Sequence, residues 1–198
     1  MHTLPLRLPT VRTRTLSGCL CWLLGAGLGW GLSKPAVVAG LPEATLLFPH
    51  GLAALASAGF ASHFLRTLRG ILLTNLLVSL SISLGGLLTG GVLTLLTFLW
   101  NGFLISLVVQ QYVVGTHMGP LATLVIFAHA PLELLAFIGL GNIGLLGLPL
   151  YQGLWHGRTA AQWQQLRRAC LLPQTGWLVG ALLLAALIES FVLTWHLT

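Results

Sequence analysis

The sequence predicts an all-α membrane protein, a polytopic helical bundle of about five transmembrane helices with amphipathic helices at the interface. Of its 198 residues, 56% are hydrophobic and only 6% are charged, and its mean hydropathy is +0.93. A soluble domain would be about one quarter charged. No Asp, Glu, Lys or Arg lies between Arg69 and Glu133, which leaves room for several crossings and almost no exposed loop. We therefore expect one integral membrane domain over residues 1–198.

The net charge of +6 is best explained as a topology signal. The nine Lys and Arg residues lie in short flanks between apolar runs and form no basic face, so nucleic acid is not an expected partner. Arg7, Arg12 and Arg14 precede the first apolar run without any acid. The positive-inside rule then predicts a cytoplasmic N-terminus.

Apolar runs and polar breaks divide the chain into predicted segments. These are a cytoplasmic N-terminus (1–15), a first crossing (16–32), an extracytoplasmic connection with an interfacial helix (33–70), crossings at 71–88, 91–109 and 121–140, a re-entrant stretch or helix continuation (141–154), a cytoplasmic amphipathic helix (155–172) and a last crossing (176–197).

The first run could be a cleaved signal peptide, but its Gly-rich and Trp-rich end has no clear processing site, which favours a retained helix. In the connection that follows, His63, Arg66 and Arg69 recur every three residues among apolar ones. This spacing predicts a helix lying at the interface, with its cationic side chains toward the lipid headgroups. The turn at 89–91 is so short that the crossings on either side must form a tight antiparallel hairpin.

The later segments are assigned by glycine content and by aromatic and basic markers. Residues 141–149 are too short and too rich in glycine for an independent crossing. Tyr151 and Trp155 mark an interface. The stretch 155–172 holds Arg158, Arg167 and Arg168 with no acid, as expected of a cytoplasmic amphipathic helix.

The most informative stretch is the apolar run from Leu121 to Leu140, because it carries His129, Pro131 and Glu133 near its middle. In one helix, His129 and Glu133 would share a face, with a rise of about 6 Å between them. Pro131 cannot donate a hydrogen bond to the carbonyl of Phe127, which predicts a helix break at this point.

Three further polar residues lie inside predicted crossings, namely Asn75, Asn101 and Glu189. Such groups cannot remain unpaired in lipid. We therefore predict an intramembrane polar cluster of these residues with His129 and Glu133. Two interpretations stay open: the cluster is functional, as is the default for an ionisable group at mid-membrane, or it only holds neighbouring helices together.

With these residues identified, the chain resembles the stage II sporulation protein M family over about residues 70–195. The family pattern is Asn-Gly, then His-Gly-x-x-Glu, then a glutamate in the last helix. The corresponding pieces are Thr74-Asn75, Asn101-Gly102, His129-Ala130-Pro131-Leu132-Glu133 with Ala136, and Ala185 to Phe191. The chain departs from the pattern at Ala130, where the family has glycine, and at Leu77, where it usually has arginine.

The resemblance implies a non-enzymatic protein of the bacterial cytoplasmic (inner) membrane that forms complexes. The family's namesake is a membrane anchor and scaffold for two peptidoglycan-degrading enzymes. A scaffold or accessory subunit of an envelope complex is therefore the first functional hypothesis. Its expected partners are membrane lipids, other membrane or envelope proteins, an ATPase or transporter component, and a second copy of the chain.

Two other classes of function were weighed. A permease-like subunit would use Glu133 and Glu189 for proton exchange or cation binding and would need a separate ATPase, because the chain has no ATP-binding motif. An intramembrane hydrolase is disfavoured, because the chain has no aspartate, no His-Glu-x-x-His and no Gly-x-Ser-x-Gly. A metal held by His129 and the two glutamates is conceivable, but one histidine with two acids is a poor catalytic set. No catalytic residue, metal or cofactor is therefore assigned.

Overall fold

The computed structural model describes residues 10–32, 59–111, 127–157 and 173–197, with isolated positions at 160, 164 and 168. All regular elements in these ranges are helices, which confirms the predicted all-α class. They are α1 (Val11–Leu32), α2 (Phe60–Leu88, with a π-helical turn at Ser81–Gly85), α3 (Val92–Gln110), α4 (Ala130–Gly144), α5 (Gly147–Trp155) and α6 (Pro173–Leu197).

Five segments of the described chain are long and apolar enough to cross a membrane, as predicted. They are Val11–Leu32, Phe60–Leu88, Val92–Gln110, Ala130–Trp155 and Thr175–Thr194. Leucines cover much of their outer surface; Leu73, Leu77 and Leu84 on α2 are each more than half exposed. Such a surface suits a lipid environment, where apolar side chains carry no penalty for exposure.

Helices α1 and α3 run parallel and in close contact. Gly18 lies against Phe98 and Gly29 against Ser106, so the residue numbers rise together along both helices. A Cβ added at Gly25 would overlap the backbone of Leu99. Small residues therefore let the two backbones approach each other, as is common for helices packed in membranes.

Helices α2 and α4 also run parallel to each other. Asn75 contacts Glu133, and further along both helices Gly86 lies against Gly144. The turn between α2 and α3 reverses the chain through Gly90 and Gly91, whose φ angles of 66° and 91° favour glycine. This turn confirms the predicted hairpin geometry.

Helix α6 runs antiparallel to α4. Leu178, near the start of α6, lies against Gly139, whereas Glu189, near its end, faces His129 at the start of α4. Successive crossings therefore alternate in direction. The core between them contains Ile82, Phe98, Ala136, Phe137, Leu140, Ile143 and Leu182.

The π-helical turn of α2 lies where α2, α3 and α4 meet. The backbone N–H of Gly86 bonds to the carbonyl of Ser81, five residues earlier. Beside it, the hydroxyl of Thr94 on α3 donates to the carbonyl of Ile82 at 2.6 Å. Thr94 and Ile82 are both completely buried, so this bond ties α2 to α3 inside the protein.

The predicted boundary between an interfacial helix in 33–70 and a crossing at 71–88 differs from the structure. One helix runs from Phe60 to Leu88, because no proline or turn separates the two stretches. On it Arg66 and Arg69 are exposed as expected, but His63 is buried and does not face headgroups. The rest of the predicted connection, residues 33–58, lies outside the described residues.

The predicted crossing at 121–140 is described only from residue 127 onward. Residues 127–129 form a turn and α4 begins at Ala130, so Pro131 lies in the first turn of the helix. Proline is well tolerated there, because the N–H that it lacks would have no helical partner. The carbonyl of Phe127 accepts the N–H of Ala130 at 3.0 Å. Since residues 121–126 lie outside the described residues, the helix break at Pro131 stays a prediction.

The stretch 141–154 continues the fourth crossing. Helix α4 ends at Gly144, two residues form a turn, and α5 follows to Trp155. Together they make one apolar segment of 26 residues, Ala130–Trp155. Of the two predicted alternatives, this geometry is the one expected for a helix continuation. Most of the predicted amphipathic helix at 155–172 lies outside the described residues.

Candidate functional site

The start of α4 places two ionisable side chains next to the middle of α2. His129 is the residue before α4, and its carbonyl accepts the N–H of Leu132 at 3.0 Å and that of Glu133 at 3.2 Å. Glu133 lies in the first turn, where unsatisfied N–H groups favour negative charge. Asn75 lies near the middle of the 29-residue α2 and is buried. The polar groups thus meet deep within the bundle.

Two contacts connect three helices at this point. The side-chain amide of Asn75 on α2 donates a hydrogen bond to Oε1 of Glu133 on α4 at 2.6 Å. Nε2 of His129 lies 3.7 Å from Oε2 of Glu189 on α6. One ligand atom from each of His129, Glu133 and Glu189 lies within 4.8 Å of the other two. Four of the five residues of the predicted cluster are therefore brought together, and we call these four the polar cluster.

The fifth residue, Asn101, is close but not connected. Its side-chain amide donates to the carbonyl of Thr97, one turn earlier on its own helix, at 2.8 Å. Asn101 nevertheless lines the same cavity as His129 and both glutamates. It contributes to the polar wall of the cavity without a direct bond to the carboxylates.

The polar cluster opens into a cavity of about 190 Å³ between α1, α3, α4 and α6. Most of its lining is apolar, including Trp22, Leu104, Phe127 and Phe137. This volume has room for several water molecules. Among the described residues that line the cavity there is no Ser, Thr or Cys.

The charges around the cavity are unbalanced. Two carboxylates and one imidazole face it, and no Lys or Arg is among the described residues that line it. The sequence has no Lys or Arg between Arg69 and Arg158, or after Arg168. Since an isolated charge is costly in a low-dielectric interior, two ionised glutamates here would need a proton or a cation for compensation. The arrangement is therefore suited to holding a proton or a cation.

A second polar contact between helices was missed in the sequence. Asn142 on α4 and Thr15 on α1 bond through their side chains, with the Asn142 amide donating at 3.1 Å. The sequence carries a signal for this contact, because an amide inside an apolar run must find a partner. Trp22 and Phe127, which wall the cavity, carried no comparable signal.

Comparison with known proteins identifies the family and nothing narrower. No curated protein and no solved structure matches the chain. The family model of stage II sporulation protein M matches residues 18–193, nearly the whole chain and every described crossing at least in large part. This match includes all five residues of the predicted cluster. The chain therefore belongs to the stage II sporulation protein M family.

Proposed function

We propose that this protein is a non-enzymatic membrane scaffold, or accessory subunit, of a bacterial envelope complex. The observation that carries the proposal is how the intramembrane polar groups are used. Asn75, Glu133, His129 and Glu189 contact one another across α2, α4 and α6, which fastens three crossings together. Side-chain contacts of this kind contribute roughly 0.6 to 2 kcal/mol each in membranes. A stiffened bundle suits a protein whose task is to present surfaces to partners.

The outer surface supports the same proposal. Trp155 at the end of α5 is 88% exposed and Trp177 near the start of α6 is 80% exposed. Both residues belong to the same end of the bundle, because α4 with α5 runs antiparallel to α6. Exposed tryptophans suit the membrane interface and are also frequent in protein contacts. We expect this end to contact envelope proteins, with lipids covering the remaining apolar surface.

Photo-crosslinking in cells tests the scaffold proposal. A photoreactive amino acid at Trp155 or Trp177 should yield a crosslink to a different envelope protein, identified by mass spectrometry. Leu76, on the outer surface near the middle of α2 and 54% exposed, provides the matched control, where crosslinks to lipid should predominate. Recovery of lipid and this chain alone from all three positions would contradict the proposal.

The cavity supports a second candidate, a permease-like subunit that works with a separate ATPase. In this alternative Glu133 and Glu189 exchange protons or bind a cationic substrate within the membrane. Replacing Glu133 by Gln removes the exchangeable charge with almost no change in shape. If Glu133→Gln retains full function in the cell, proton exchange at this residue is excluded. Loss of function together with retained partner crosslinks would favour the permease over the scaffold.

A further inference from the structure

We propose that His129, Glu133 and Glu189 bind one divalent transition-metal ion, of the zinc, manganese or iron(II) class, inside the bundle. The donor atoms come from the start of α4 and from α6 and lie within 4.8 Å of one another. The proposal does not depend on the scaffold or permease function, since a bound metal is compatible with either.

The spacing between His129 and Glu189 suits two ligands of one metal ion. Nε2 and Oε2 are 3.7 Å apart, which is too long for a hydrogen bond. Two ligands at tetrahedral positions, each about 2.0 to 2.1 Å from zinc, are separated by roughly 3.4 Å. Small side-chain rotations would close the remaining difference and draw in Glu133 as the third donor.

The partners of the two glutamates support the same assignment. Asn75 donates to Oε1 of Glu133, which holds the carboxylate in place and leaves Oε2 available. Hydrogen bonds of this type commonly orient metal-binding carboxylates. Across the described part of the chain, Glu189 accepts no hydrogen bond, and its side chain is only 16% exposed. A mostly buried carboxylate with no hydrogen-bond donor needs either a proton or a cation, and a metal ion bound at Glu189 would supply the latter.

Charge and space favour a divalent ion. Two ionised glutamates balance a charge of +2, and within the described part of the chain no Lys or Arg lines the cavity to neutralise them. Imidazole with carboxylates suits zinc, manganese and iron(II), whereas calcium and magnesium prefer oxygen ligands alone. The cavity of about 190 Å³ has room for water at the remaining coordination positions. The ion would link α4 to α6 and, through Asn75, to α2.

Metal binding to the full-length protein tests this inference. The protein is purified in mild detergent with a tag free of histidine, stripped with a chelator, and titrated separately with ZnCl2 and MnCl2. We expect one ion per chain, measured by elemental mass spectrometry after gel filtration. At a hundredfold excess over Kd, the metal should raise Tm by about 5 to 10 °C.

Substitutions locate the ion. Glu133→Gln and Glu189→Gln keep the side-chain shape and should each abolish stoichiometric binding and the Tm shift. Asn75→Ala should weaken binding by about 10-fold to 100-fold, as expected for a residue that orients a ligand. His63→Gln removes a buried histidine on α2 that lies outside the polar cluster, and it should leave both readouts unchanged. Gel filtration and circular dichroism verify that each variant is folded.

Measurements on the unmodified chain decide the matter even if a variant fails to fold. Absence of zinc and manganese binding above background, with no Tm shift, would overturn the proposal. Equal binding by Glu189→Gln and the unmodified chain would also overturn it, because the ion would then lie elsewhere. A cobalt(II) complex of the unmodified chain should show d–d absorption bands that disappear on chelation, and featureless spectra would be contrary evidence.

Discussion

Gly25→Ala is the sharpest test of the packing between α1 and α3. A Cβ at this position would lie 2.8 Å from the carbonyl carbon of Leu99 and 3.0 Å from its Cα. Carbon atoms in contact prefer about 3.5 to 4.0 Å, so the helices must separate by about 1 Å. The atoms to be moved belong to the backbone of α3 and cannot rotate away as a side chain could.

The expected effect follows from two opposing contributions. Overpacking of this kind destabilises by about 1 to 3 kcal/mol. Replacing glycine by alanine within a helix stabilises the folded state by about 0.4 to 1 kcal/mol, because the unfolded chain then has less conformational entropy to lose. We therefore expect Gly25→Ala to lower the free energy of unfolding by about 1 to 2 kcal/mol. Gly27 lies two residues away with no atom within 4 Å of its added Cβ, so Gly27→Ala should be neutral or slightly stabilising.

Thermal unfolding of both variants in the same detergent provides the measurement. Each kcal/mol corresponds to about 2 to 4 °C for a chain of this size, so the two variants should differ by several degrees. Gly102→Ala offers an independent check from α3, because its Cβ would lie 2.9 Å from the carbonyl carbon of Trp22. If Gly25→Ala and Gly27→Ala unfold at the same temperature, the close approach of α1 and α3 is refuted.

Two further predictions concern hydrogen bonds between helices. Asn75→Ala leaves Glu133 without its hydrogen-bond donor and should lower the free energy of unfolding by about 1 to 3 kcal/mol. Chemical denaturation measures this change, and an unchanged free energy of unfolding would contradict the contact. Thr94→Val removes the buried bond to Ile82 and should cost about 1 kcal/mol. Thr97→Val is its control, because the Thr97 hydroxyl donates to the carbonyl of Leu93 within its own helix. Equal effects of the two substitutions would show that the bond between α3 and α2 adds nothing to the free energy of unfolding.

The sequence was sufficient to predict the crossings and the meeting of four polar residues. The length of the apolar runs predicted the crossings. The meeting of the polar residues was indicated because buried polar groups need partners. The sequence could not show that the Asn101 amide bonds to a carbonyl of its own helix. An amide that bonds one turn earlier and an amide that bridges two helices have the same sequence pattern.

The sequence could not place the start of α4 at Ala130 for a related reason. A proline within an apolar run is compatible with a bend inside a helix or with the first turn of a new one. Hydropathy is the same in both cases, and the turn at 127–129 can be seen only in the structure. The close packing of Gly25 was equally hidden, because in a chain with 24 glycines most small-residue spacings arise by chance.

The π-helical turn at Ser81–Gly85 holds one residue more than a regular α-helical turn. Asn75 lies before the wide turn and Gly86 after it, and both face α4. Because the wide turn takes up its additional residue locally, the helix on either side keeps its direction of winding. Deleting one residue from Ser81–Gly85 should therefore restore regular winding while both contacts still face α4. The wide turn thus lets α2 absorb an insertion without losing either contact.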